Sequence, residues 1–184
     1  MTSDLSLLTP SDVRDLTRQL GLTPSKAWGQ NFVVDPGTVR RIAARAPFQP
    51  GDQVVEIGPG LGSLTLALLE AGAQVTAIEI DPVLAGALPA TVAEHAPAVA
   101  ERLQVLTTDA LSLTELPSPQ PSALVANLPY SVSTKVLLSF LERFESIRAG
   151  LVMVQSEVAA RLVAGPGSRT YGVPSVKLAW FAEA

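Results

Sequence analysis

Short apolar runs recur along the chain, separated by longer segments in which apolar residues return every three or four positions. The runs at 53–57, 74–80, 104–107, 123–126 and 150–155 have the length and branched-chain content of buried strands. The intervening periodicity predicts helices. Thr9-Pro10-Ser11-Asp12 is a helix start, with Thr9 as cap, and that helix carries Val13, Leu16 and Leu20 before stopping at Gly21. Asp35-Pro36 starts a second helix through Val39, Ile42 and Ala46, with Arg41 and Arg45 on one face. Further helices are expected over 63–70, over 83–100 with breaks near Pro89 and Pro97, and through Val136, Leu137, Phe140 and Leu141 with Ser131 or Ser133 as cap. The last two should cover 156–164 and 175–183. Strands and helices alternate throughout, so the fold class is α/β, with a mostly parallel, doubly wound sheet. No internal repeat is visible. The whole chain, 1–184, reads as one domain, with an N-terminal helix and lid segment over 1–35 and the α/β core over 36–184.

Composition narrows the field. At 184 residues and 47% hydrophobic, the chain can bury a full core. No apolar run is long enough to span a bilayer, and Met1-Thr2-Ser3-Asp4 does not open a secretory signal, so a cytoplasmic, membrane-free protein is expected. The chain has no cysteine, which removes disulfides, thiolate catalysis and zinc–sulfur sites. Its one histidine, His95, has no second ligand type nearby and suits a solvent-facing structural role. A net charge of −4 argues against a general nucleic-acid coat but permits a local basic face. On that face, Arg41 and Arg45 are either phosphate contacts or simply solvated.

Three stretches carry chemistry. The first strand runs into Gly58-Pro59-Gly60-Leu61-Gly62, and Glu79 ends the next strand about 20 positions on. Such a pairing binds adenine-ribose ligands: glycines admit close backbone approach, and the carboxylate accepts from the ribose hydroxyls. The spacing is G-x-G-x-G with Glu56 just ahead, not the G-x-G-x-x-G of a pyrophosphate site. It fits S-adenosylmethionine (SAM), which has no phosphate. Asp81 competes for the ribose but is better placed to cap the helix after Pro82. Asp109, just past the third strand, either accepts from the cofactor adenine's amine or is a turn residue.

The third stretch is Asn127-Leu128-Pro129-Tyr130. An adenine exocyclic amine is a poor nucleophile because its lone pair is delocalised into the ring. The Asn127 amide oxygen and a backbone carbonyl of Leu128 or Pro129 can both accept from that NH2. They would then favour a tetrahedral nitrogen aimed at an electrophile. The Tyr130 face stacks the base, worth roughly 1–3 kcal/mol. An ordinary Asn-Pro turn with a core tyrosine fits the same four residues. The polar and aromatic segment 22–35 suits either a lid over a nucleotide-like ligand or a covered edge of the fold.

Taken together, Gly29-Gln30-Asn31-Phe32, the glycine turn, Glu79-Ile80-Asp81, Asn127-Leu128-Pro129-Tyr130 with Ser133-Thr134, and Ala164-to-Gly172 resemble the KsgA-type ribosomal RNA adenine dimethyltransferases. These belong to the Rossmann-like SAM-dependent class. The resemblance implies two methylations at N6 of each of two adjacent adenosines in the 3′-terminal hairpin of 16S rRNA. The partner would be the small ribosomal subunit, the methyl donor SAM, no metal would be needed, and the protein would be a monomer. It further implies that Gln30, Asn31, Val33, Gly58, Gly60, Glu79, Asp109 and Asn127 line the SAM site, with Val33 standing where the family usually has leucine. Asn127, Leu128, Pro129 and Tyr130 would hold the target base. Lys26, Arg40, Arg41, Arg143, Arg148 and Arg169 are candidate phosphate contacts. Members of that family continue into further sheet strands and a small C-terminal helical domain, both absent here, so the fifth strand is expected to present an open edge. The nearest rival is an Erm-type methyltransferase of large-subunit rRNA. A non-catalytic assembly or transcription factor on the same fold is another, and an NAD-linked dehydrogenase fits the glycine spacing worst.

Overall fold

The structure is a computed structural model that describes residues 5–22, 35–128 and 132–184. Helices α1 (Pro10–Gln19) and α2 (Pro36–Ala43) precede β1 (Gln53–Ile57), α3 (Ser63–Glu70), β2 (Gln74–Glu79) and α4 (Pro82–His95). A 3₁₀ turn, Pro97–Arg102, leads into β3 (Leu103–Thr107). Then come β4 (Ala123–Asn127), α5 (Ser133–Arg143), β5 (Ala149–Met153), α6 (Ser156–Leu162) and α7 (Val173–Phe181). The strands form one sheet in the order β3-β2-β1-β4-β5, and every pair is parallel.

A parallel sheet is covered on both faces, so its strands are apolar at odd and even positions alike. Val54, Ala123 and Val125 join one core with Leu7, Leu8, Leu66, Leu69, Leu84 and Leu88. Val55, Ile57, Leu124 and Ala126 join the other with Val136, Leu137, Phe140 and Phe144. In the second core the Phe140 and Phe144 rings meet edge to face, with centroids 4.8 Å apart. Helix α3 is buried from Ser63 to Leu69 and exposed at its last residue, Glu70, which explains its lack of a polar face.

The N-terminal caps form as their sequences predict. Thr9 and Asp12 make a full capping box on α1, and Asp35 accepts from the Thr38 N–H at the start of α2. Four expectations need correction. Helix α4 does not break at Pro89; the proline ring sits on the exposed face, where losing one backbone hydrogen bond costs least, and the helix ends only before Pro97. Helix α2 stops at Ala43, so Arg45 is not on its face. Ser133 is the first helical residue of α5 and not its cap; Val132 holds that position without a side-chain bond. His95 is half-buried, with its Nδ1 3.0 Å from Ser6 Oγ and its carbonyl accepting the Ser6 N–H, so it fastens the N-terminal segment to α4.

At the β5 edge, β4 is the one strand neighbour among the described residues. Helices α6 and α7 follow β5, and a groove of about 580 Å³ beside it is lined by residues including Leu137, Ile147, Gly150, Val152 and Leu178. No helix among the described residues is long and apolar enough to cross a membrane.

Candidate functional site

Strand β1 lies between β2 and β4, and the chain leaves β1 and β4 toward helices packed in opposite cores. Such a switch point opens a crevice at the carboxyl ends of the strands, where open α/β sheets bind ligands. Ile57 stands in register with Ile78 on one side and Ala126 on the other, so the turn after β1, the end of β2 and Asn127 share this crevice's rim.

The turn is built from backbone. Gly58, Gly60 and Gly62 all have positive φ (69°, 58° and 97°). The Gly58 N–H donates to the Ile78 carbonyl at 2.9 Å and the Gly62 N–H to the Pro59 carbonyl at 3.0 Å. Gly62 also has no room for a side chain: an added Cβ would lie 2.7 Å from Leu88 Cδ1. The turn thus rests directly on α4.

Glu79 reaches into it from β2. The residue is 6% exposed; its Oε2 accepts the Gly60 N–H at 3.1 Å and its Oε1 the Asp81 N–H at 3.0 Å. Burial pushes its carboxyl above the usual carboxylate range, opposed by backbone N–H groups of Asp81, Gly60 and Ile80. Asp81 is the cap its sequence position predicts: its Oδ1 accepts from the N–H groups of Val83 at 2.8 Å and Leu84 at 3.4 Å. The Thr108 N–H donates to the Glu79 carbonyl, which carries the rim on to the loop after β3. There Asp109 is half-buried and makes a turn, its Oδ1 accepting the Leu111 N–H at 2.9 Å. On the other side of β1, Asn127 closes β4 half-buried, in register with Met153. Leu128 is 2% exposed and its N–H donates to the Met153 carbonyl at 3.1 Å. The structure therefore brings Gly58, Gly60 and Glu79 into one hydrogen-bonded unit and sets Asp109 and Asn127 at the ends of strands beside it. Gln30, Asn31, Val33, Pro129 and Tyr130 lie outside the described residues.

Residues 22–184 match the family of ribosomal RNA adenine dimethylases. The chain belongs to that family. It is 63% identical over 182 residues to the ribosomal RNA small subunit methyltransferase A of Thermobifida fusca (strain YX), covering 99% of this chain and 63% of that protein. The chain spans about 60% of the length of such curated relatives. Among solved structures, the 23S rRNA methyltransferase ErmE is 34% identical with a TM-score of 0.61, over 71% of this chain and 50% of that one. A dimethyladenosine transferase from Plasmodium falciparum is 26% identical with a TM-score of 0.66, over 78% and 50% respectively. The Rossmann-like methyltransferase fold expected from the motifs is the fold observed.

Near these positions stand residues whose surroundings the sequence did not reveal. Glu56 is 1% exposed and its Oε2 accepts from Thr65 Oγ1 at 2.6 Å. Burial pushes its carboxyl up to about 8, against the Thr65 bond and helped by the Glu79 charge. Ser63 Oγ, in the first turn of α3, is buried with no hydrogen-bond partner among the described residues. Ile80, directly after Glu79, is 55% exposed at the rim, an apolar surface that a run of strand residues does not announce. Three of the candidate phosphate-binding arginines have partners within the fold, the first being Arg41, whose Nη2 donates to Thr38 Oγ1 at 2.9 Å. Arg40 grips Glu70 at 2.8 and 3.0 Å, and Arg143 Nη1 donates to the carbonyls of Leu111 at 2.6 Å and Leu113 at 3.3 Å.

Proposed function

We propose that this chain carries the catalytic centre of a 16S rRNA adenine dimethyltransferase. It would transfer methyl groups from SAM to N6 of two adjacent adenosines in the 3′-terminal hairpin of the small subunit. The observation that carries this reading is Glu79, held by the glycine turn it shares with the crevice, one strand away from the strand that ends in Asn127. The names of the relatives support the small subunit as substrate. The site fits an adenine-ribose ligand without phosphates. The N–H groups of Gly60, Asp81 and Ile80 leave part of the roughly four acceptor sites of the Glu79 carboxylate for a ribose hydroxyl. The positive-φ glycines keep backbone, not side chains, against the ligand.

SAM supplies an electrophilic methyl group. The protein's part is placement, for which effective molarities are large. Glu79 holds the ribose, and Asp109 and Ile80 border the base of the cofactor. Gln30, Asn31 and Val33 are assigned to the cofactor on the family resemblance. The Asn127 side chain and a carbonyl of Leu128 or Pro129 accept from the target amine and turn its lone pair toward the methyl group, while Tyr130 stacks the base. The N–C bond forms as the C–S bond breaks, and the cationic product amine is acidic enough to release its proton to water. The reading places the protein in the cytoplasm, as a monomer, with residues 1–35 as helix and lid on the 36–184 core.

The test is transfer of labelled methyl from SAM to small subunits lacking the modification, with the Thermobifida fusca relative assayed beside this chain. Label on N6 of two adjacent 3′-hairpin adenosines is the expected result. Label confined to large subunits, as the likeness to ErmE would allow, or none from a chain that binds SAM, would overturn the proposal.

A further inference from the structure

Residues 108–122 connect β3 to β4 with no helix or strand of their own, so this connection depends on ties to its surroundings. Its start is tied to β2, where the Thr108 N–H donates to the Glu79 carbonyl at 3.0 Å. Asp109 then folds a turn around itself. Its Oδ1 accepts the Leu111 N–H at 2.9 Å and its carbonyl accepts the Ser112 N–H at 2.9 Å. Ala110 is buried, and Leu111 and Leu113 pack half-buried on the core that α5 covers. The last tie comes from α5 itself. Arg143, its final residue, is exposed, and its Nη1 donates to the carbonyls of Leu111 at 2.6 Å and Leu113 at 3.3 Å. A basic residue in a last turn can bond the closing carbonyls of its own helix; this one holds those of another segment. Leu111 is thereby fastened twice, by its N–H to the Asp109 carboxylate and by its carbonyl to the guanidinium.

We propose that Arg143 is a positioning residue: by clamping Leu111 and Leu113 it fixes the turn that aims the Asp109 carboxylate, and so raises the affinity for SAM. The inference rests on the reading of Asp109 as a neighbour of the cofactor base. Its physical basis is preorganisation. A carboxylate on an unfastened connection must be ordered as the ligand binds, and the cost of that ordering is subtracted from affinity. With the turn already held from α5, the ordering is complete in the free protein. A guanidinium suits the task because its charge strengthens the bonds to both carbonyls and it does not lose its proton. The tie also joins the two sides of the crevice. Helix α5 is the first element after β4, the strand that ends in Asn127, so the helix beyond the target-base side steadies the loop on the cofactor side.

The experiment measures SAM affinity by calorimetry for the unaltered chain, Arg143→Met, Arg143→Lys, Asp109→Ala and the double variant Arg143→Met with Asp109→Ala. Urea unfolding checks that each is folded under the assay conditions. Methionine keeps an apolar stem and removes the donors; lysine keeps a charged donor on a shorter reach. Loss of the clamp should weaken SAM binding about tenfold in Arg143→Met, with Arg143→Lys between it and the unaltered chain. Coupling is the signature that a merely structural role would not give. With Asp109 already alanine the turn aims nothing, so adding Arg143→Met should change SAM affinity by less than about twofold. Unchanged affinity in Arg143→Met, or equal weakening with and without Asp109, would overturn the proposal. If the double variant does not fold, methyl transfer by Arg143→Met decides: KM for SAM should rise at unchanged kcat, and a fall in kcat at unchanged KM would count against the clamp. Asp109→Ala binding SAM as tightly as the unaltered chain would remove the reading of Asp109 on which the inference stands. Absence of SAM binding by the unaltered chain would remove the cofactor reading itself.

Discussion

Replacing Gly62 by alanine tests the close seating of the glycine turn on α4. Two costs arise from one methyl group. Gly62 has φ +97°, and an L side chain in the left-handed region costs about 1–2 kcal/mol. Its new Cβ would also lie 2.7 Å from Leu88 Cδ1 and 3.9 Å from Thr91 Cγ2. Leu88 is 1% exposed and Thr91 is buried, so neither can swing into solvent. Overpacking of this kind costs about 1–3 kcal/mol. The expected loss is therefore about 2–5 kcal/mol, a large share of the roughly 5–15 kcal/mol that holds a domain folded. Urea unfolding reads it as a lower midpoint with unchanged slope. Leu88→Ala separates the two costs. Alone it opens a cavity worth about 2–5 kcal/mol. Combined with Gly62→Ala, the new methyl occupies part of that space, so the double variant should be more stable than the sum of the singles by about 1–3 kcal/mol. A loss below about 1 kcal/mol for Gly62→Ala, or strict additivity in the cycle, would refute the claim that steric contact with α4 shapes the turn.

Further predictions concern the site itself. Glu79→Ala should weaken SAM binding by about 1.5–3 kcal/mol, measured by calorimetry on the folded variant; unchanged affinity would take Glu79 out of the site. Asn127→Ala should abolish methyl transfer while leaving most SAM affinity, and retained turnover would remove the amine-holding role. The pH dependence of stability should carry the mark of Glu56. Its carboxyl titrates at about 8 in the fold against an ordinary 4.5, so the folded chain holds more protons between those values. Its contribution is fully present at low pH and is lost as pH rises toward 8. Unfolding free energies measured across that window should fall with pH, and Glu56→Gln should flatten the decline.

Much of this site was legible because its parts are local. Thr9 with Asp12, Asp35 and Asp81 cap helices that begin within a few residues of them, so the sequence contains both donor and acceptor. The glycine turn and Glu79 follow a spacing set by one strand–helix–strand unit. What failed depended on exposure or on distant partners. Pro89 reads as a break because nothing in the sequence says that its ring will face solvent. Arg40 reads as a free cation because Glu70 lies 30 residues away, and Arg143 because its acceptors are carbonyls, which no side-chain pattern reveals. Glu56 reads as part of the glycine motif, and its chemistry comes from the depth to which three strands bury it.

The strand order also has a consequence for synthesis. β1 finds its first neighbour, β2, soon after the turn that follows it, but its other neighbour, β4, comes after β2, α4 and β3. At roughly 5–20 residues per second, a ribosome takes some seconds to deliver the roughly 70 residues from the end of β1 to the end of β4. Throughout that interval one side of β1 is an unpaired parallel edge. The seam at the ligand crevice thus closes only after β2 and β3 are in place, with β5 alone left to add. A nascent chain stalled between β3 and β4 would offer that seam to any strand able to add to it.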